Sequence, residues 1–131
     1  MRKLYLDIDG VLLTNKNIHA AEDVVSFLKF VTEHFDCYWL STHCKGDTLS
    51  AVNYVSDYIP NCESFLSKIK PTQWNTLKTE AIDFDSDFFW LDDYPMIAER
   101  LVLQQHGKES CLIVVELSRH DELNTIMEFL S

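Results

Sequence analysis

Short unbroken apolar blocks alternate along the chain with longer stretches in which apolar residues recur every third or fourth position. The first pattern predicts buried strands and the second predicts amphipathic helices. Residues 2–8 form a first strand on this reading. Val24, Val25, Phe27, Leu28, Val31 and Phe35 then mark a helix over 20–34, and Cys37-Tyr-Trp-Leu40 a second strand. Leu49, Val52 and Val55 share one stripe of a helix over 47–58, which Pro60-Asn61 ends, and 63–66 is assigned as a short third strand. Pro71 or Thr72 opens another helix through Trp74, Leu77, Ala81 and Ile82, with proline suited to the first turn. Phe88-Phe-Trp-Leu91 is a fourth strand, and Ile97, Ala98, Leu101 and Val102 define a helix stopping near Gly107. A fifth strand over 111–115 and a helix over 120–130, with Leu123, Ile126, Met127 and Leu130 on one face, complete the series.

Strands alternating with helices predict an α/β domain with a mostly parallel sheet. At 131 residues the chain fits one domain, assigned to 1–131, and burial of roughly two-thirds of the unfolded surface is expected at this size. With 47% hydrophobic residues, 24% charged residues and only three Gly and three Pro, it is not built as a linker or a disordered tail.

A formal net charge of −10 disfavours nucleic-acid binding, which needs clustered Lys and Arg. The apolar stretch after Met1 is cut by Asp7, too early for a signal peptide, and no window reaches the roughly 18 apolar residues of a membrane span. A cytoplasmic protein with no membrane partner is expected. Cys37, Cys44, Cys62 and Cys111 show no C-x-x-C spacing and are read as reduced thiols. His43-Cys44 lacks the second ligand pair that a zinc site needs.

Against this background Leu4 to Val11, L-Y-L-D-I-D-G-V, stands out. A buried strand normally excludes acid, because an unpaired buried carboxylate costs several kcal/mol or shifts its pKa. Asp7 and Asp9, two apart, point the same way from an extended chain, and Gly10 lets the backbone turn directly after them. A divalent cation is the natural compensation. The second predicted strand ends in Ser41-Thr42 and the fourth in Asp92-Asp93. Ligands of open parallel sheets bind beyond the carboxyl ends of the strands, so the three sets converge if those strands are neighbours.

The order D-I-D-G-V, then Leu40-Ser41-Thr42, then a lysine, then W-L-D-D resembles the haloacid dehalogenase superfamily over nearly the whole chain. The resemblance implies a three-layer α/β/α Rossmann-like fold and Mg²⁺-dependent phosphatase activity. It assigns Asp7 as nucleophile, Asp9 as general acid/base, Ser41 as a phosphate contact, and Asp92 and Asp93 beside Asp7 and Asp9 as metal ligands. The lysine of this pattern is Lys78, or alternatively Lys70 in a K-P pair. Gly10, Thr42 and His43 follow the motifs directly and are candidate substrate contacts. Two carboxylates cannot hold a phosphate dianion unaided, so Mg²⁺ and a lysine are both required.

No segment is left over for a cap domain. A capless member resembles those that act on bulky or macromolecular phosphoesters, or that use another subunit as lid, which makes a homo-oligomer one expectation. The phosphorylated substrate has no residue that identifies it. Two other readings stand beside the enzyme: a catalytically silent phosphate-binding domain, and a phosphoacceptor signalling domain. The latter is disfavoured because its acceptor Asp and its Lys belong on the third and fifth strands, where Ser67-Lys68 and Glu116 follow instead. Trp39, Trp74 and Trp90 are read as core, and Asn15 and Asn17 as shaping a short flap or turn after the first motif.

Overall fold

The computed structural model describes residues 1–131. Four strands, β1 (Lys3–Leu6), β2 (Asp36–Trp39), β3 (Phe88–Asp92) and β4 (Leu112–Val114), form one parallel sheet in the order β2-β1-β3-β4. Four helices lie in the connections between them, α1 (Val24–His34), α2 (Thr48–Ser56), α3 (Glu63–Leu66) and α4 (Ile97–Gln105), and α5 (Glu122–Leu130) follows the last strand. Two short 3₁₀ turns lie at Lys78–Ala81 and Glu109–Cys111. This is an α/β architecture compatible with a Rossmann-like arrangement. No helix is long and apolar enough to cross a membrane.

Strand pleating splits the core in two. Leu4, Leu6 and Ile8, with Cys37, Trp39 and Leu91, face a larger cluster that takes in Phe27, Leu28 and Val31 of α1, Val52 and Val55 of α2, and Leu123 and Ile126 of α5. Tyr5, Leu40, Phe88 and Trp90 face the other way and pack with Trp74, Ile82 and Leu103. Period two places Asp7 on the side of Tyr5, and Asp92 on the side of Trp90. That is the face covered by α4 and the Lys78–Ala81 turn. All three tryptophans are buried, as their apolar surroundings in the sequence suggested.

Two predicted elements take other forms. Residues 63–66 are not a third strand but the helical turn α3. Ile59, Cys62, Leu66 and Ile69, all buried, are spaced three, four and three apart, a helical period that a four-residue window conceals. The sheet therefore has four strands rather than five. What remains of a fifth is a single parallel bridge between Lys70 and Tyr38, with Lys70 N–H donating to the Cys37 carbonyl at 2.9 Å and Trp39 N–H to the Lys70 carbonyl at 2.8 Å.

The helix expected from Pro71 through Ile82 is also absent apart from the 3₁₀ turn. The Thr72 hydroxyl donates to the Trp39 carbonyl and draws the segment onto β2. Glu80 then gathers the N–H groups of Asn75, Thr76 and Leu77 around its carboxylate at 2.9–3.2 Å. A side chain that collects successive backbone donors competes directly with a helical ladder.

Candidate active site

The sheet order places β1 between β2 and β3, so the chain leaves β1 to one side for β2 and later returns to its other side for β3. The carboxyl ends at such a reversal are where open α/β sheets form a crevice. The ladder carries the motifs into register there. Asp7 N–H donates to the Leu91 carbonyl at 3.0 Å, Leu40 N–H to the Leu6 carbonyl at 2.8 Å, and Val115 N–H to the Asp92 carbonyl at 3.0 Å.

Asp7, Asp92 and Asp93 meet in this crevice with carboxylate oxygens within 4.8 Å of one another, and the group could hold a metal ion. Asp7 and Asp92 are 8% and 1% exposed, which leaves little water to solvate their charge. Lys78 Nζ lies 2.6 Å from Asp92 Oδ2 and 3.2 Å from Asp7 Oδ2. Three carboxylates against one ammonium leave two negative charges uncompensated. Burial accordingly pushes the Asp7 carboxyl up to about 7, opposed by Lys78 and reinforced by the neighbouring charge of Asp92. For Lys78 burial acts to lower the pKa, but the charges and hydrogen bonds of Asp7 and Asp92 outweigh it, and the net shift is upward.

Backbone groups fix the carboxylates. Ile8 N–H donates to Asp7 Oδ1 at 2.8 Å and Tyr94 N–H to Asp92 Oδ1 at 3.0 Å. Lys78 is held from behind by Glu99, a 3% exposed residue of α4, whose two oxygens accept from Lys78 N–H at 2.7 Å and Met96 N–H at 2.8 Å. The other lysine of the sequence pattern, Lys70, pairs with Asp36 at the start of β2 and is exposed, away from the crevice.

Residues 10–20 turn back on themselves as a hairpin-like loop. Thr14 N–H donates to the His19 carbonyl, Thr14 Oγ accepts from His19 N–H, and Asn17 takes positive φ at the tip. Asn15 Nδ2 fastens the loop to Asp93 Oδ2 at 2.8 Å. Gly10 begins it with φ +83°, and a Cβ there would land on the Asp93 carboxyl, so both conformation and space demand glycine. A cleft of about 540 Å³ lies between this loop and residues 115–118, bordered by Gly10 and Asp93.

Asp9 stands apart from the three-carboxylate group. Its Oδ2 lies 2.8 Å from His43 Nε2, and its Oδ1 accepts from the Tyr54 hydroxyl at 3.1 Å. The His43 and Tyr54 rings stack at 3.8 Å with 13° between their planes. Burial, with the hydrogen bond to Asp9, raises Tyr54 to about 12, so it stays a donor. Ser41 is 1% exposed and its Oγ accepts from His43 N–H at 3.1 Å, which leaves the hydroxyl proton free to be donated. Thr42 is exposed.

Sequence reasoning missed Tyr54 and Glu99. Tyr54 lies 45 positions from Asp9 and Glu99 21 positions from Lys78, with nothing local to mark either tie. Only the Glu99 bond to Met96 had a local signal, an acid three residues into a helix that reaches back to its N-terminal N–H. The chain matches no known protein-family model and no curated protein.

Proposed function

We propose that this chain is a Mg²⁺-dependent phosphomonoesterase, a small capless relative of the haloacid dehalogenase-like hydrolases, working through an aspartyl-phosphate on Asp7. The observation that carries the reading is the meeting of Asp7, Asp92, Asp93 and Lys78 at the ends of adjacent strands. The donor set is all oxygen and two of its three members are nine-tenths buried, which suits a hard divalent cation. When bound, Mg²⁺ supplies the positive charge that lets an ionised carboxylate approach a phosphate dianion.

The remaining steps belong to the chain's own side chains. Asp7 attacks phosphorus and forms an O–P bond while the bond from phosphorus to the ester oxygen breaks. Asp9 delivers a proton to the departing oxygen, then takes one from the water that attacks phospho-Asp7, releasing inorganic phosphate and restoring both carboxyl groups. Lys78 offsets charge on the transferring phosphoryl group, and Ser41 donates its free hydroxyl proton to one of its oxygens.

Hydrolysis of p-nitrophenyl phosphate by wild type, Asp7→Asn and Asp9→Asn, with Mg²⁺ and with chelator, tests this reading. Turnover by wild type with Mg²⁺ is expected to exceed Asp7→Asn and the chelated protein by at least about 10²-fold, and also to exceed Asp9→Asn, which lacks the base for hydrolysis of phospho-Asp7. Turnover by Asp7→Asn equal to wild type would instead favour a silent phosphate-binding domain.

A further inference from the structure

Asp9 is the only acid of the two strand-end motifs whose carboxylate lies outside the Asp7–Asp92–Asp93 group. Both of its oxygens are occupied elsewhere, Oδ2 by His43 Nε2 at 2.8 Å and Oδ1 by the Tyr54 hydroxyl at 3.1 Å. The two partners brace each other. Their rings stack at 3.8 Å, Tyr54 meets Tyr58 edge-on at 5.7 Å, and Tyr54 also packs on the larger core cluster. Each is anchored independently. His43 follows the loop after β2, with its N–H on buried Ser41, whereas Tyr54 rides on α2, whose first turn is capped by Asp47 accepting from Leu49 N–H at 2.9 Å.

We propose that His43 and Tyr54 are positioning residues that grip both oxygens of Asp9, fixing its carboxylate outside the cation site as the general acid. Asp9 follows Asp7 by two residues, and a cation held by Asp7, Asp92 and Asp93 would draw its carboxylate inward were it not held elsewhere. A general acid must sit within hydrogen-bond reach of one particular oxygen, so a carboxylate that wanders loses most of its effect. The inference rests on the phosphatase reading above and adds how the two neighbouring acids are kept to separate tasks.

Two substrates separate a role in positioning the acid from a general loss of structure. A p-nitrophenolate leaves readily without a proton, whereas the alkoxide of glycerol phosphate does not. Tyr54→Phe, which keeps the ring and its stacking, is expected to lower kcat/KM for glycerol phosphate relative to p-nitrophenyl phosphate by roughly tenfold or more. In an Asp9→Asn background the same change should have no further effect on that ratio. An equal fall for both substrates, an unchanged ratio, or an effect that persists without Asp9 would overturn the proposal while leaving the phosphatase reading intact. Wild type inactive on both substrates with Mg²⁺ would overturn both. A crystal structure of the double variant His43→Phe/Tyr54→Phe gives a readout without turnover. The Asp9 carboxylate is expected to leave its present orientation; a carboxylate that has not moved shows that the backbone sets it and ends the proposal.

Discussion

Asp7 carries a cost that its surroundings do not fully relieve. Its carboxyl is raised to about 7, against about 3.9 for a carboxyl in an unfolded chain. Between those values the folded protein holds a proton that the unfolded chain has lost, so this group makes stability fall as pH rises from about 4 to about 7. Above that window both states are ionised and the full penalty remains; below it the penalty is gone. Asp7→Asn removes the charge but keeps the shape. In the presence of chelator the variant should therefore be more stable than wild type at pH 8, by roughly 1–4 kcal/mol, a net figure that already includes the attraction to Lys78, and the gap should close toward pH 4. Thermal unfolding at the two pH values checks this, and wild type the more stable at pH 8 would contradict it. Asp7 was legible in the sequence for the same reason it is costly, since an acid at the end of an apolar strand violates the local pattern. Tyr54 violates nothing. A tyrosine at helical spacing reads as a half-buried flank, and only the folded chain brings it to Asp9.

The helix α4 does more than cover the sheet. Through Glu99 it accepts the N–H of Lys78 and the N–H of Met96, the residue that caps its start, and so fixes both the helix start and the backbone of the turn that bears the lysine. Glu99→Ala leaves both donors without their partner at a 3% exposed position, a loss of roughly 1–3 kcal/mol. Urea unfolding should show that loss, and phosphatase activity under conditions where the variant is fully folded should still fall, because Lys78 is no longer held against Asp7 and Asp92. A stability loss with undiminished activity would show that the turn keeps its place unaided. Elements with strong periodicity, such as α1 and β3, were visible in the sequence because one face or the whole segment is buried. Residues 63–66 and 71–82 were not. The first belongs to a helical stripe running from Ile59 to Ile69, and the second is shaped by the carboxylate of Glu80 and the hydroxyl of Thr72, long-range or non-periodic causes that apolar spacing does not record.

The whole molecule carries a net charge of −10, and part of that excess, three carboxylates against one ammonium, lies in the crevice itself. On the proposed function, a phosphoester dianion approaching such a surface would be repelled at long range and attracted only at contact with the cation and Lys78. Many enzymes with charged substrates have the opposite arrangement, in which the field steers the substrate inward and salt slows association. Here salt should help. Raising ionic strength from about 0.01 M to about 0.1 M shortens the screening length from about 30 Å to about 10 Å, which removes repulsion from distant acids but leaves the buried contacts at the crevice nearly unscreened. With Mg²⁺ kept saturating, kcat/KM for p-nitrophenyl phosphate should rise several-fold over that range while kcat stays nearly constant, because chemistry after binding does not feel the distant charges. A monotonic fall in kcat/KM would mean that a local patch of cations outweighs the acidic surface along the path of entry. Lys16 on the loop over the cleft and Lys45 beyond β2 would then be the first residues to replace.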